Sequence, residues 1–451
     1  MSNNFRDADR LTQYLLPPSI NEWLPEKHLA RFVVEIVGLL DLSSLKSAYS
    51  GRGSKAYSPA VLLSLMFYGY ATGVFSSRKL ERSTYDSVAF RYVCANEHPD
   101  HDTIAAFRKR FLVELEAIFV QILQIASQMK VFKLGKISLD GTKIHANASK
   151  HQALSWKHAD DIEKKIKEEV SRLIRLAEEA DAENIPDGMD IPEELKYREA
   201  RLKAIADAKA EIERRAAEKY EEAKREHERK LAERKAKENG KKSGDKKPSE
   251  PKSGPNDKDQ VNLTDPESRI MPVSGGGFEQ SFNAQACVDI DSLLIVENHV
   301  TQNANDKKEI EPALKSISAL PKNLGKVDAL LADAGYFSKG NVELCEKEKI
   351  QPYISTNRNK HNLTLEQRFP KPQEPLPKNA DAVARMVYEM NTNDGKALYA
   401  KRKQTVEPVF GIIKAVMGFR QFLLRGVKKV RGEWNLVCMA WNIKRLYALG
   451  Q

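Results

Sequence analysis

"ISLDGTKIHA", residues 137–146, is the stretch on which the fold turns. Ile137 and Leu139 alternate across Ser138 like a strand with a buried face, and then Asp140 stands where an apolar residue belongs. Asp-Gly-Thr is ordinary turn chemistry, because Asp and Gly both suit a turn backbone. A carboxylate at the end of a buried strand also stands where α/β sheets keep their clefts, and there it can hold a metal ion. "LLADAGYF", residues 330–337, repeats the pattern: an apolar run, Asp333, a small residue and a glycine. Two such acids are harder to dismiss as turns. Facing one another they need neutralising, and Mg²⁺ does this with oxygen ligands while keeping positions for water and phosphate oxygens. Two such ions about 3.5 to 4 Å apart serve phosphoryl transfer.

Strand-like sequence surrounds these runs. "FNAQACVDI" (282–290) and "SLLIVENHV" (292–300) read as a hairpin, with Asp289 and Asp291 as its turn residues. A helix follows through "DKKEIEPALKSIS", which Asp306 opens as a cap. "KVDALLADAGYFS" gives a strand, "KGNVELCEKEK" a helix, "IQPYIST" a strand, and a last helix starts after residue 404. Two early antiparallel strands followed by alternating elements predict an α/β fold, a mixed sheet with helices on its faces in the RNase H-like order.

Helical periodicity governs most of the remainder. Residues 1–130 form an N-terminal helical domain, with Ser58-Pro59 as a helix start. There "SSRKLERSTYDS" and "DTIAAFRKRF" have the short-helix, turn, basic-helix cadence of a DNA-binding unit, although a plain bundle fits as well. The first part of the catalytic domain spans 131–159. From 160 to 240 the composition shifts to Glu, Lys, Arg and Ala. Ile162, Ile166, Val170, Leu173 and Ala177, then Leu195, Leu202, Ile205 and Ile212, predict a helical hairpin with a narrow apolar stripe, an arm for a partner subunit or DNA. Residues 241–262, poor in apolar side chains, read as a disordered linker, and 263–451 as the rest of the catalytic domain with basic C-terminal helices.

The chain has 451 residues, 41% of them hydrophobic, enough for a real core. No apolar run spans a bilayer and the first residues carry no signal pattern, so a cytoplasmic protein without a membrane partner is expected. Cys94, Cys287, Cys345 and Cys438 are widely separated and read as reduced packing residues. The net charge of +10 is concentrated: residues 401–451 hold eleven Lys and Arg against Glu407 and Glu433, which suits a polyanion, above all nucleic acid.

A third acid belongs on a helix docked against the two strands. In "YAKRKQTVEPVFGIIKAVMGF" Glu407 stands among Val406, Val409, Phe410, Ile413 and Met417, and Lys403, Glu407 and Lys414 project within roughly 40° of one another. Pro408 places a helix start nearby, so that Lys403 precedes the helix proper. Glu407 is equally readable as a first-turn acid favoured by the helix dipole. Ser274-Gly275-Gly276-Gly277 lacks the context of a phosphate loop and reads as a turn. His145 and His299 lie on strand-like runs without partner ligands.

"ISLDGTKIHANASK", "VNLTDPESRIM", "FNAQACVDIDSLLIVENHVTQNANDKKEIEP", "LLADAGYFSKGNVELC" and "RKQTVEPVFGIIKAVMGFRQFLLRG", in this order, resemble the DDE transposases of bacterial insertion sequences, whose catalytic domain is RNase H-like and similar to retroviral integrases. The helical start resembles their N-terminal domain. The resemblance implies that Asp140, Asp333 and Glu407 are the catalytic, metal-binding acids of a two-metal site for Mg²⁺, with Mn²⁺ as a substitute. Relatives carry a Tyr, Arg, Glu, Lys signature around the last acid. Lys403 and Lys414 fit near Glu407, whereas Tyr399 and Arg402 keep their mutual interval but fall one residue out of step. Tyr399, Arg402, Lys403, Lys414, Arg425, Lys428 and Lys429 are then candidates for DNA phosphate contacts. The implied activity is phosphodiester hydrolysis and strand transfer at terminal inverted repeats into target DNA, by a homo-oligomer, at least a dimer on DNA, near the bacterial nucleoid. An RNase H-like nuclease without strand transfer, a transposase-derived DNA-binding protein without catalysis, and a helical scaffold are the alternatives.

Overall fold

The computed structural model of the chain describes residues 19–49, 56–179, 191–237, 249–273, 275–356, 375–377 and 379–450. Helices run in the order α1 (Leu29–Leu39), α2 (Ser43–Ser47), α3 (Pro59–Ala71), α4 (Ser77–Asp86), α5 (Val88–Val93), α6 (His101–Arg110), α7 (Glu114–Gln128), α8 (Trp156–Glu179), α9 (Ile191–Lys237), α10 (Ile310–Ser318), α11 (Lys339–Lys347), α12 (Ala382–Asn391), α13 (Asn393–Gly411) and α14 (Val427–Leu449). Strands are β1 (Leu134–His145), β2 (Ala153–Ser155), β3 (Gln260–Asn262), β4 (Arg269–Pro272), β5 (Phe278–Asp289), β6 (Ile295–Thr301), β7 (Gly325–Ala332) and β8 (Gln351–Ile354). Two compact units result: one holds the described residues up to Thr142 with Asn283–Leu423 and the chain from Lys428, the other Lys143–Phe282 with Leu424–Val427.

The first unit contains the N-terminal helices and most of the sheet. Helix α3 is apolar on every side, and Leu63, Leu65, Phe67 and Tyr70 are fully buried, as befits the central rod of a bundle. Its start bears out the Ser58-Pro59 reading, with Ser58 at the cap and Pro59 in the first turn, where a missing N–H costs nothing. The run from 101 to 128, continuous by periodicity, instead bends by 83° between α6 and α7, where Phe111 turns into the core.

The sheet is mixed, which establishes the RNase H-like α/β fold. Strand β6 pairs antiparallel with β5, β5 neighbours β1, and β1, β7 and β8 are parallel. β6 lies at an edge, and α14 covers it. Asn442 bonds both the N–H and the C=O of Ile295, each at 2.8 Å, which occupies backbone groups that would otherwise invite another strand. From the same helix Trp434, fully buried, donates its indole N–H to the Gln285 carbonyl at 2.9 Å. Helix α13 docks Leu398 and Tyr399 on Ala329 and Leu331 of β7 and Tyr353 of β8.

Two sequence expectations fail here. The last helix does not start near Pro408; α13 begins at Asn393, runs through Pro408, and passes into a π turn at Ile412–Val416. Pro408 lies at the exposed edge of the helix beside exposed Glu407, and Lys403 is therefore well inside it. Asp306 is not the cap of α10. Glu309 holds that position, and the Asp306 side chain turns toward β5.

The second unit contains the hairpin. Helices α8 and α9 bury Ala159, Ile166, Ile205, Ala208 and Ile212 against Leu154 of β2 and Val261 of β3, with Ile162, Val170 and Leu202 alongside. This is the stripe that the periodicity predicts. Lys209 bridges the helices through Asp160 at 3.1 Å and Glu163 at 2.9 Å. Of the expected linker 241–262, residues up to 248 lie outside the described residues, and the last three form β3, antiparallel to β2. Val261 explains the difference: one apolar residue in a polar stretch suffices when helices α8 and α9 supply most of the core that it joins. Gly275–Gly277, all at positive φ, turn β4 into β5, while Ser274 lies outside the described residues.

His299 on β6 is held between two acids, Nδ1 2.9 Å from Glu297 and Nε2 3.1 Å from Glu309, so that it ties the strand to the start of α10. Burial by itself depresses the imidazole, but Glu297 and then Glu309 outweigh it and raise its pKa to about 9. Because the folded value exceeds the unfolded one near 6.5, the stabilisation is complete below that pH and disappears as pH rises through 9. Thermal stability should accordingly fall between pH 6.5 and 9, by on the order of 3 kcal/mol in all. His299→Gln should flatten that slope; an unchanged slope would exclude His299 as its source.

Candidate active site

The parallel register of β1 and β7 pairs Ser138 with Leu331, and two further residues along each strand bring Asp140 opposite Asp333. β7 ends at Ala332, so Asp333 stands just past the carboxyl end of its strand, whereas β1 runs on to His145 and Asp140 lies within it, beside the place where β7 stops and the sheet can open a cleft. Each carboxylate is anchored by the backbone that follows it: Asp140 Oδ1 accepts from Gly141 N at 2.8 Å, and Asp333 Oδ1 from Gly335 N at 2.7 Å. At Asp333, just past β7, this is turn chemistry; at Asp140 the turn reading fails, because β1 runs on through Gly141 and Thr142 to His145, and there the contact only orients the acid.

The glycines matter for space. A Cβ on Gly141 would stand 2.1 Å from Gln285 Nε2, 2.7 Å from Asp306 Oδ1 and 2.9 Å from Asn283 Oδ1. A Cβ on Gly335 would stand 2.9 Å from Asp333 Oδ1. The polar atoms of three segments consequently crowd around two backbones that carry no side chain.

Helix α13 supplies the opposite wall. Arg402 is buried and reaches two acids at once, Nη1 3.5 Å from Asp140 Oδ2 and Nη2 3.1 Å from Glu407 Oε1. Tyr399, one turn earlier, directs its hydroxyl at the Ala332 carbonyl, 3.3 Å away, and so fastens the helix to the end of β7. The electrostatics of the site follow from this packing. Burial is the main cause that pushes the Asp140 carboxyl up to about 7; Asp333 and Asp306 add to the rise, while the Gly141 N–H and Arg402 oppose it. Burial, with Asp140, Asp306 and Asp333 behind it, also raises Tyr336 far above the ordinary phenol range. Carboxylates raising one another are a demand for positive charge. Arg402 meets that demand in part.

Asp140, Asp333, Tyr399, Arg402 and Glu407 are therefore brought to one place. Lys403 is exposed on α13, and Lys414 is half-buried in the π turn. Arg425, in the second unit, is exposed and donates to the Asn147 carbonyl at 3.0 Å. Lys428 and Lys429 are exposed in the first turn of α14. Asn283, Gln285 and Tyr336 are site neighbours that sequence reading passed over, and Asp306 is one that it read as a helix cap. Asn283 and Gln285 carry a usable signal, two amides at alternate positions of a buried strand, which puts both on one face. Among the described residues no three acids or imidazoles converge as a finished metal cage. The donors around Asp140 and Asp333 nevertheless fit a hard divalent cation: they are carboxylate oxygens, and the buried Asn283 Oδ1 beside them has no partner.

Comparison with known proteins agrees with this architecture. Residues 18–110 match the model of a transposase domain (DUF772), and residues 260–443 match that of the transposase DDE domain. The second span includes Asp333 and Glu407 and begins after Asp140, whose place beside Asp333 comes from the strand register. None of the curated proteins and none of the solved structures matches the chain. Among the described residues no single helix is long and apolar enough to cross a membrane. With a transposase domain ahead of a DDE domain, and two acids opposed on neighbouring strands of a mixed sheet, the chain belongs to the DDE transposases of insertion-sequence type.

Proposed function

We propose that the protein hydrolyses a phosphodiester at each end of its own insertion sequence and directs the freed 3′-hydroxyl at target DNA, with Asp140, Asp333 and Glu407 as the three acids. The observation that carries this reading is the placing of Asp140, within β1, beside Asp333, at the end of β7, with Glu407 linked to Asp140 through Arg402. Divalent cations bound there would polarise the phosphate and activate the attacking oxygen. Asp140 and Asp333 would hold them through the oxygens that the following backbone does not occupy. Arg402 keeps Glu407 turned toward Asp140, and its charge limits the repulsion among the acids. Tyr399 fixes the register of α13 on β7, so that its aromatic ring acts by positioning. Lys403, Lys414, Lys428 and Lys429 would neutralise DNA phosphates, and the hairpin of α8 and α9 would gather a second subunit or DNA end.

The isosteric changes Asp140→Asn, Asp333→Asn and Glu407→Gln should each abolish cleavage of DNA carrying the element's ends while leaving the fold and most DNA binding intact, because one anionic ligand is lost and no cavity is made. Cleavage within about tenfold of the unmodified protein would remove that residue from the site. The product separates transposition from plain nuclease action: joined ends require strand transfer.

Lys428→Ala with Lys429→Ala should weaken binding to all DNA sequences alike and lower the salt slope by about 0.9 log unit per lost phosphate contact. A titration of duplex binding against salt reads this directly. An unaltered slope would mean that the two lysines only coat the surface.

A further inference from the structure

Behind Asp140 and Asp333 stands a fourth carboxylate. Asp306, in the turn before α10, points back at β5, where its Oδ1 accepts from Asn283 Nδ2 at 2.6 Å and from Gln285 Nε2 at 2.7 Å. Gln285 is in turn held by the hydroxyl of Tyr336, which donates to its Oε1. Asn283 is held as well, since its Nδ2 also donates to the Asn303 carbonyl at 3.0 Å. Asn283, Gln285 and Tyr336 are all fully buried. The carboxylate is thus aimed by a rigid set of side chains, and an ordinary helix cap requires nothing of the kind.

Its direction is toward the other acids. The point where a Gly335 Cβ would stand is 2.9 Å from Asp333 Oδ1 and 3.7 Å from Asp306 Oδ2, and the point at Gly141 is 2.7 Å from Asp306 Oδ1. Asp306 therefore meets the backbone that follows both acids. A separate observation points to something that belongs among them. Asn283 Oδ1 is buried without a hydrogen-bond partner, and it faces the same Gly141 point at 2.9 Å. An amide oxygen in that condition costs about 1 to 3 kcal/mol unless a donor or a cation reaches it. With two carboxylates next to it, a hard cation, or the water such a cation carries, is the partner that suits both kinds of oxygen.

We propose that Asp306 is a further ligand of the divalent-cation site that it borders with Asp140 and Asp333, through the oxygen that Asn283 and Gln285 leave free. This rests on the reading of Asp140 and Asp333 as cation-holding acids. It adds an acid that comes from neither of those strands nor from α13. Asp306→Asn is a discriminating change, because an amide oxygen can still accept from Asn283 and Gln285, so a merely structural Asp306 loses nothing.

Mn²⁺ titration of the full-length protein by calorimetry, without DNA, gives the readout. Asp306→Asn should weaken Mn²⁺ binding by about tenfold or more, as Asp140→Asn and Asp333→Asn do. If those two changes weaken binding and Asp306→Asn stays within about twofold, Asp306 is not a ligand and the proposal falls while the site reading stands. If none of the three alters Mn²⁺ binding, the site reading itself is wrong. A second measurement needs no variant and so covers the case in which Asp306→Asn does not fold: Fe²⁺ with ascorbate and peroxide cleaves backbone next to the bound ion. Cuts in the unmodified protein should fall near 140, near 333 and at 303–307. Cuts at the first two alone would overturn the proposal.

Discussion

Two carboxylates opposed on neighbouring parallel strands repel one another, and the means of opposing that repulsion shapes the surroundings. Unit charges 4 Å apart interact by about 4 kcal/mol at an effective dielectric constant of 20, a large share of a domain's net stability. The register of β1 and β7 leaves Asp140 and Asp333 no way to separate. A cation has to be brought to them, and α13 brings the guanidinium of Arg402. The helix can do so only in one register, which Tyr399 and Leu398 set by packing on β7 and β8. Glu407 then follows at the other end of the same guanidinium. Acid pair, helix register and third acid are consequently one arrangement, and a slip of α13 by one residue would dismantle all three.

The chain path sharpens this constraint. β1 and β5 are both long strands that pass from one compact unit into the other, and the insertion with α8 and α9 leaves along the first and returns along the second. Asp140 stands just before the exit and Asn283 just after the return. The site is thus bordered by the two chain segments whose positions the sheet fixes most firmly. A large insertion can be accommodated there without loosening the acids, since strand pairing on the near side holds them.

Asp140 and Asp333 were legible in the sequence because an acid after an apolar strand-like run is conspicuous, although only β7 ends there and β1 continues to His145. The hairpin stripe was legible for a similar reason: Ile162, Ile166, Ile205 and Ile212 keep helical spacing in a sea of charge. What escaped depends on tertiary geometry. Nothing local separates Asp306 from a helix cap, and only the fold turns it toward Asn283 and Gln285. The sequence offers Arg402 for DNA phosphate contacts, and only the docking of α13 buries it between two acids. Pro408 is a strong local stop signal that is overridden where it lies on an exposed edge and the buried residues Thr405, Val406, Val409 and Phe410 carry the helix past it. Val261 gives β3 its place in the core only through β2, a hundred residues earlier, and the helices α8 and α9.

The same distinction applies to charge. Read from the sequence, residues 401–451 form one basic segment. In the fold their cations divide. Arg402 is spent on carboxylates, and Arg420, Arg425, Arg431, Lys444 and Arg445 each donate to a backbone carbonyl, of Lys414, Asn147, Val300, Ala71 and Ser292 respectively. Buried carbonyls require such donors, and a long cationic side chain can satisfy them while its stem packs against apolar neighbours. Lys444 is partly desolvated in this way, and burial lowers its pKa. A hydrogen bond to a neutral carbonyl leaves the cation's charge in place, whereas the charge of Arg402 is met by Asp140 and Glu407, so it is Arg402 above all that the fold withdraws from the segment's formal charge.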